Sequence, residues 1–283
     1  MSQPIAFERR NYAVAPPRAD VLTCRILGPI EIQTDERSVE IRGTIQRTLL
    51  AALLVCGGRQ VMTNSLMDEL WGEHPPGNAE NALQAHVSRL RRRFEEAEPA
   101  RTTPRLVSLP SGYRLLTDDA QIDAEVFLRA MTEVRARPDM EPVEVIRRLR
   151  GALALWRGPA FGGGLGGLIC QSATVRYEEH RSAAFSLLFE NELLLGRHEQ
   201  IIAELAELVE AESLNERLCQ QLMVALYGAG RQTDALALYR RMRERLTKEL
   251  GIEPSPALRK VELAILSQDP TLDAGVDPIA VRR

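Results

Sequence analysis

The sequence lacks any apolar run that would span a membrane. A transmembrane helix needs about 18 or more largely apolar residues in succession, and no stretch of the 283 residues approaches this length. The first 20 residues carry prolines and charges without an apolar segment, so they do not form a signal peptide. We therefore expect a cytoplasmic protein with no membrane partner, in which residues 1–20 form a disordered arm.

Cysteine and histidine are few and scattered, which argues against a metal site. The four cysteines include no Cys-X-X-Cys pair, and none of the four histidines lies at ligand spacing. We expect Cys24, Cys56, Cys170 and Cys219 to be buried thiols in a reducing compartment. The sequence thus predicts neither a metal nor a disulfide framework.

Signatures of catalysis and nucleotide binding are also missing. The run Gly162 to Gly167 is rich in glycine, but no Gly-Lys-Ser or Gly-Lys-Thr follows it and no strand precedes it. No serine or cysteine lies in a recognisable nucleophile elbow or in a histidine-paired context. We therefore predict a flexible inter-helix turn at the glycine run, no cofactor, and a protein that is not an enzyme.

The stretch Asn78 to Phe94 predicts a helix with two different faces. Apolar residues recur at steps of four, three and four, which at about 100° per residue places them on one buried stripe: Leu83, Val87, Leu90 and Phe94. The opposite face collects polar, small and cationic side chains: Asn81, Ala85, Ser88, Arg89 and Arg92. Such a helix fits the DNA major groove, where arginine pairs with guanine and asparagine with adenine. The alternative interpretation is a solvated, arginine-rich helix end.

The flanking segments predict a winged helix-turn-helix. Thr63 to Trp71 forms a short helix, Gly72 to Gly77 breaks it with two prolines, and Leu106 to Leu116 forms a hairpin that turns at Pro110 to Gly112. Upstream, three strands of a small antiparallel sheet and an apolar scaffold helix are predicted: Val21–Leu27, Glu31–Thr34, Ser38–Ile41 and Ile45–Cys56. Because the net charge is only -3, a local patch must provide any affinity for DNA.

From residue 121 onward the pattern is helical. Asp123 is predicted to cap the first of these helices, and the predicted helices are Ala124–Ala136, Pro142–Trp156, Ser172–Leu195, His198–Glu210, Glu216–Tyr227, Thr233–Leu250 and Pro256–Leu266. A Gly-Arg pair at Gly196 recurs 34 residues later at Gly230, which is the period of tetratricopeptide repeats. The predicted fold class is an α+β N-terminal winged helix-turn-helix, residues 21–117, followed by an all-α tetratricopeptide-like helical repeat domain, residues 121–268. Residues 269–283 are predicted to be a flexible tail.

The motifs resemble those of the SARP family, the Streptomyces antibiotic regulatory proteins. The winged helix is similar to that of OmpR-type regulators in the segments Gln46–Leu54, Leu70–Gly72, His86–Arg91 and Ser111–Leu115. The helical part resembles the bacterial transcriptional activator domain in the segments Leu153–Phe161, Glu179–Arg181, Leu214–Leu218 and Lys248–Leu258. The resemblance covers about residues 21–268 and implies a DNA-binding transcription activator.

The resemblance also implies roles for individual residues. Ala85 and Arg89 would face base edges, while Asn81 and Ser88 would lie at base or phosphate positions. Phosphate contacts are implied for His86, Arg91 and Arg92, and the polar side chains of Thr63, Asn64, Ser108 and Ser111 are further candidates. Leu109 departs from the family, whose wings often carry a basic residue before the turn. The exposed turn that holds Glu73 and His74 is the candidate polymerase contact.

The activity that the resemblance implies is control of an antibiotic or other secondary-metabolite gene cluster. Members bind direct repeats in double-stranded DNA near promoters, as head-to-tail homodimers that recruit the RNA polymerase holoenzyme. Two alternatives stay open at this point. A tetratricopeptide-like scaffold would bind protein and not DNA, and a repressor would use the same winged helix.

Overall fold

The computed structural model describes residues 21–34, 37–164, 166–269 and 272. The predicted disordered arm and nearly all of the predicted tail lie outside the described residues. The chain divides into two compact units, one reaching to Ala136 and including Arg150–Arg181, the other formed by Arg137–Leu149 and the residues from Ser182 onward. Within the described residues, no helix combines the length and the apolar character that crossing a membrane requires.

The first unit begins with a four-stranded sheet. Strands β1 (Leu22–Arg25), β2 (Glu31–Gln33) and β3 (Ser38–Glu40) pair antiparallel, as predicted. A further strand, β7 (Ala120–Ile122), lies parallel to β1 and gives the order β3-β2-β1-β7. Three residues are too few to show an alternating pattern, so β7 is not predictable from the sequence.

The winged helix-turn-helix follows the predicted order with small shifts at the ends of elements. Its helices are α1 (Thr44–Val55), α2 (Thr63–Trp71) and α3 (Ala79–Ala97). Its second sheet has the order β4-β6-β5 and is built from β4 (Val61–Met62), β5 (Leu106–Leu109) and β6 (Gly112–Leu115). The hairpin is therefore confirmed, and the two-residue β4 is an addition that joins the hairpin to the start of α2.

Asp123 connects the first sheet to helix α4 (Asp123–Arg135) in a way that differs from the predicted cap. It lies inside the first turn, and Ile122 occupies the cap position without a side-chain hydrogen bond. The Asp123 carboxylate accepts the backbone N–H groups of Ile26 at 2.8 Å, Leu27 at 3.0 Å and Ala124 at 2.8 Å. The prediction that Asp123 is the N-cap was wrong by one position, and two of the three N–H donors to its carboxylate come from the chain after β1.

A second buried carboxylate fixes the glycine-rich run. Helix α5 spans Pro142–Leu153, a 3-10 turn spans Ala160–Gly162, and helix α6 spans Leu168–Leu194. Glu69 on α2 is only 4% exposed, and its carboxylate accepts the N–H groups of Ile169 at 2.7 Å and Cys170 at 2.9 Å. A Cβ on Gly166 would lie 2.5 Å from Glu69 Oε1, so glycine lets the start of α6 approach this carboxylate.

The second unit has the predicted tetratricopeptide-like order of helices. These are α7 (His198–Ala211), α8 (Glu216–Gly228), α9 (Gln232–Leu250) and α10 (Pro256–Leu266). The repeated Gly-Arg pair makes the same turn twice, since Gly196 and Gly230 both have positive φ. The N–H groups of Arg197 and Arg231 then bond to carbonyls five residues earlier, as in a Schellman motif. The predicted fold class is confirmed.

The cysteines match the expectation of unpaired thiols. All four are free, and Cys24, Cys170 and Cys219 are buried, whereas Cys56 is partly exposed. Burial raises the pKa of Cys24 and of Cys219 to about 12 and also raises that of Cys170. These three thiols are therefore uncharged packing groups, since only the thiolate is reactive.

Candidate nucleic-acid interface

Helix α3 presents the two faces that its sequence predicts. Its N-terminus is capped by Asn78, whose side-chain oxygen accepts the N–H of Asn81 at 3.2 Å. The predicted apolar stripe is buried throughout: Leu83, Val87, Leu90 and Phe94. This stripe packs the helix against the rest of the winged helix, so the opposite side faces solvent.

The exposed side of α3 forms what we call the reading face. It consists of Asn81, Gln84, Ala85, Ser88, Arg89 and Arg92, all of which are exposed. Gln84 was missed by the sequence analysis, although it lies three residues after Asn81 and four before Ser88, and thus on the same side. Its amide can pair with adenine in the manner of asparagine. The face therefore carries two amides, one hydroxyl, one methyl group and two guanidinium groups.

The arginines near the end of α3 differ in whether their side chains have partners within the protein. Within the described part of the chain, the side chains of Arg89 and Arg92 form no hydrogen bond or ion pair. Arg93 instead pairs with Glu96 at 2.8 Å. Arg91 donates from Nε to the Leu106 carbonyl at 2.8 Å and from Nη2 to the Ser108 hydroxyl at 2.9 Å. The structure thus places Arg89 and Arg92 on the reading face, and Arg91 between α3 and the wing.

His86 lies beside the reading face and is partly buried. The Gln46 side-chain amide on α1 is 2.8 Å from His86 Nδ1 and donates to the His86 carbonyl at 3.1 Å. Because an amide nitrogen only donates, Nδ1 is the acceptor and the ring is neutral in this arrangement. Burial lowers the pKa of His86, and the nearby Arg89 guanidinium lowers it further. His86 at neutral pH therefore adds no positive charge to the interface.

This arrangement predicts a specific loss of stability on acidification. Protonation places a hydrogen on Nδ1, where the Gln46 amide also donates, so the fold loses about one hydrogen bond, or about 1 kcal/mol. The pKa of His86 in the folded protein is below the ordinary histidine pKa. The free energy of unfolding therefore has its full value above the ordinary pKa and falls as the pH drops from the ordinary pKa toward the folded one. Urea unfolding should be measured at about pH 7.5 and 5.5, on either side of the ordinary histidine pKa. The free energy of unfolding should change less between these two pH values in His86→Gln than in wild type. An equal change in both proteins would contradict this account of His86.

The wing turn and the start of α2 lie side by side. The backbone N–H of Thr63 donates to the Ser111 carbonyl at 3.0 Å, and the Thr63 hydroxyl is 3.4 Å from the same oxygen. Asn64 and Ser111 are exposed, as is Leu109 at the wing tip. Met62 occupies the N-cap position of α2 without a side-chain hydrogen bond, and the N–H of Thr63, the first residue of the helix, is bonded to the wing. The predicted polar candidates are thus grouped at one end of the winged helix.

The turn between α2 and α3 is exposed from Gly72 to Asn78. Gly72 has a φ of 55°, a conformation that glycine adopts readily, and it ends α2. The N–H of His74 donates to the Trp71 carbonyl at 3.1 Å, which closes the first part of the turn. Glu73 and His74 are accessible to a partner at this position.

A buried arginine, which no sequence pattern reveals, joins the end of α3 to the wing. Arg105 is 3% exposed and donates to Glu98 through Nε and Nη2, both at 2.6 Å. Its Nη1 donates to the Leu116 carbonyl at 3.0 Å and also to the Asp119 carboxylate. Because its partners lie before β5 and after β6, Arg105 fixes the wing relative to α3.

Both parts of the chain match families of known proteins. Residues 38–115 match the family described as "Transcriptional regulatory protein, C terminal", and residues 122–266 match the bacterial transcriptional activator domain. The chain is 42% identical to the transcriptional regulator RedD of Streptomyces coelicolor over 248 residues, covering 87% of this chain and 71% of RedD. It is 32% identical to the regulatory protein DnrI of Streptomyces peucetius over 255 residues, covering 88% of this chain and 93% of DnrI.

A solved structure has the same architecture. Mycobacterium tuberculosis EmbR, in complex with a low-affinity phosphopeptide, superposes with a TM-score of 0.80 at 30% sequence identity. The match covers 91% of this chain and 68% of the EmbR chain. The similarity therefore extends over both the winged helix-turn-helix and the helical part.

Proposed function

Because the chain belongs to the SARP family of transcriptional regulators, we propose that it is a sequence-specific DNA-binding activator of a secondary-metabolite gene cluster. The observation that carries this proposal is the reading face of α3. It is exposed, it includes two arginines without partners among the described residues, and its opposite side is fully buried. A fixed helix with amide and guanidinium groups on its free side has the chemistry of major-groove recognition.

Individual residues receive roles from their positions. Arg89 and the amides of Asn81 and Gln84 read base edges, with Ala85 and Ser88 allowing close approach. Arg92 and the polar groups at the start of α2 hold phosphates, which positions the helix without selecting sequence. Arg91 and His86 act mainly by holding α3 against the wing and α1, since both have protein partners there. Residues 21–117 thus bind DNA, and residues 121–268 carry the activator function in the cytoplasm.

The mode of binding that we propose is head to tail on direct repeats. Two recognition helices lie on the same face of the duplex when the repeats are one helical turn apart, about 34–36 Å. The bound pair then presents the turn at Glu73 and His74 to the RNA polymerase holoenzyme.

Deleting the gene tests whether the protein activates or represses transcription. Transcripts of neighbouring genes should fall, recover with wild type and not recover with Arg89→Ala. A rise on deletion would instead identify a repressor.

Replacing Glu73 with alanine separates the two surfaces. The residue is exposed in the turn and lies outside the reading face, so Glu73→Ala should lower transcription several-fold while DNA affinity stays within about twofold of wild type, as expected for a surface change. Transcription with purified polymerase and binding to the same duplex, measured in parallel, check this. Equal losses in both assays would show that the turn is structural.

A further inference from the structure

The first unit contains a cavity that the DNA interface does not use. It has a volume of about 330 Å³ and lies between the end of α1, the first turns of α4 and the part of α6 around Tyr177. This volume is at the lower end of the range of small-molecule sites, about 300–1,000 Å³. The cavity is bordered by the scaffold helix of the winged helix-turn-helix and by a helix of the activator domain.

Part of the cavity wall is apolar. Leu54 and Ile122 are each 2% exposed, and Leu128 lies partly exposed beside them. Transfer of an aromatic or aliphatic body from water onto such a wall is favourable. The phenol of Tyr177 also borders the cavity, and burial raises its pKa, so it is uncharged at neutral pH.

The rim carries an arginine without a carboxylate partner. Arg176 Nη2 is 3.4 Å from the Tyr177 hydroxyl oxygen, and its guanidinium lies 5.1 Å from the centre of the Tyr177 ring. Within the described residues Arg176 forms no ion pair. Its position over the aromatic ring is favourable and keeps the guanidinium beside the cavity. A carboxylate is the group that its planar N–H donors fit best.

Two acceptors complete the rim. His180 Nδ1 is 2.8 Å from the Arg176 carbonyl oxygen, so in the neutral ring Nδ1 carries the hydrogen and Nε2 is left as an acceptor. The exposed carboxylate of Glu125 lies on the α4 side of the cavity. A ligand hydroxyl can donate to either group. The combination of an apolar wall, a guanidinium and two acceptors matches an aromatic body with one carboxylate and one hydroxyl.

We propose that this cavity binds a small hydroxylated aromatic carboxylate, with the ligand carboxylate on Arg176 and its ring on the wall formed by Leu54, Ile122 and Leu128. Binding would join α1, α4 and α6 through one molecule and so stabilise the first unit. The site is separate from the reading face, and the proposal does not depend on DNA recognition.

The test uses the full chain with 4-hydroxybenzoate and salicylate as probes, titrated by calorimetry and followed by melting temperature. We expect saturable binding that raises the melting temperature, with no effect of acetate, which has the carboxylate but no ring. Arg176→Gln should weaken binding at least about fivefold, as loss of a partly exposed charge-assisted hydrogen bond predicts. Arg240→Gln, an exposed arginine on α9, is the matched control and should bind as wild type does.

Leu128→Trp is a second variant, designed to fill the cavity and abolish binding. If it does not fold, as judged by circular dichroism, Arg176→Gln alone decides, because it changes only an exposed side chain. Absence of binding by both probes at millimolar concentration would overturn the proposal. Binding with equal affinity in wild type and Arg176→Gln, or equal binding of acetate, would overturn it as well.

Discussion

Gly112→Ala is expected to unfold the three-stranded sheet of the winged helix-turn-helix. A Cβ at this position would lie 2.0 Å from the carbonyl oxygen of Val61 and 3.0 Å from the Cα of Met62. Both are backbone atoms of β4, which pairs with β6 at this residue, so no side chain can rotate away. We expect a loss of about 3 kcal/mol or more in the free energy of unfolding, at or above the usual cost of overpacking.

Urea denaturation measures this loss, and Gly77→Ala provides the control. Apart from its chain neighbours, no described residue has an atom within 4 Å of a Cβ added at Gly77, and the φ of Gly77 is not positive. The free energy of unfolding of Gly77→Ala should therefore differ from that of wild type by less than about 0.5 kcal/mol. Loss of the sheet should also remove DNA binding, because the Thr63 and Ser111 contact depends on it. Wild-type stability in Gly112→Ala would mean that β4 and β6 are not paired as described.

Arg105→Met is expected to be almost as damaging, for an electrostatic reason. Methionine keeps much of the volume of the side chain but leaves the Glu98 carboxylate, which is 12% exposed, without its bidentate partner. Removing one member of a buried ion pair typically costs about 3–5 kcal/mol. Unfolding should therefore begin at markedly lower urea concentration, and the wing should lose its fixed position relative to α3.

The matched control is Arg42→Met, which breaks the ion pair between Arg42 and Glu40. That pair is exposed, with 80% and 71% of the two side chains accessible, so its loss should cost at most about 1 kcal/mol. The double variant Arg105→Met with Glu98→Gln removes the Glu98 charge, which in Arg105→Met would keep, among the described residues, only the longer contact with Arg101 at 3.8 Å, and should recover part of the stability. Equal small effects of Arg105→Met and Arg42→Met would show that the contacts of Arg105 contribute little to the free energy of unfolding.

Periodic features were predictable from the sequence because their causes are local. The steps of four, three and four residues in α3 placed Leu83, Val87, Leu90 and Phe94 on one stripe, and all four are buried. The same helical periodicity predicted the exposed face opposite that stripe. The Gly-Arg pairs likewise predicted two turns that the structure contains, since a left-handed glycine after a helix is a local requirement.

Features that depend on partners distant in sequence could not be predicted in this way. Helix α6 begins at Leu168, four residues before the predicted start, because Glu69 supplies acceptors about 100 residues away. Arg105 looked like one charge among many, and only the fold brings Glu98, Leu116 and Asp119 around it. The role of His86 depends similarly on Gln46, which lies on a different helix.

The most direct test of the central claim is binding of the purified protein to duplex DNA from upstream of its neighbouring genes, compared with a scrambled duplex. Fluorescence anisotropy between about 50 and 200 mM salt should show affinity that falls linearly on a log–log plot, with a preference for the upstream sequence. Arg89→Ala should lose about 1–3 kcal/mol of that preference, roughly 5- to 150-fold, whereas Arg240→Ala should retain it. A wild-type protein without sequence preference at any salt concentration would contradict the account and would favour a protein-binding scaffold.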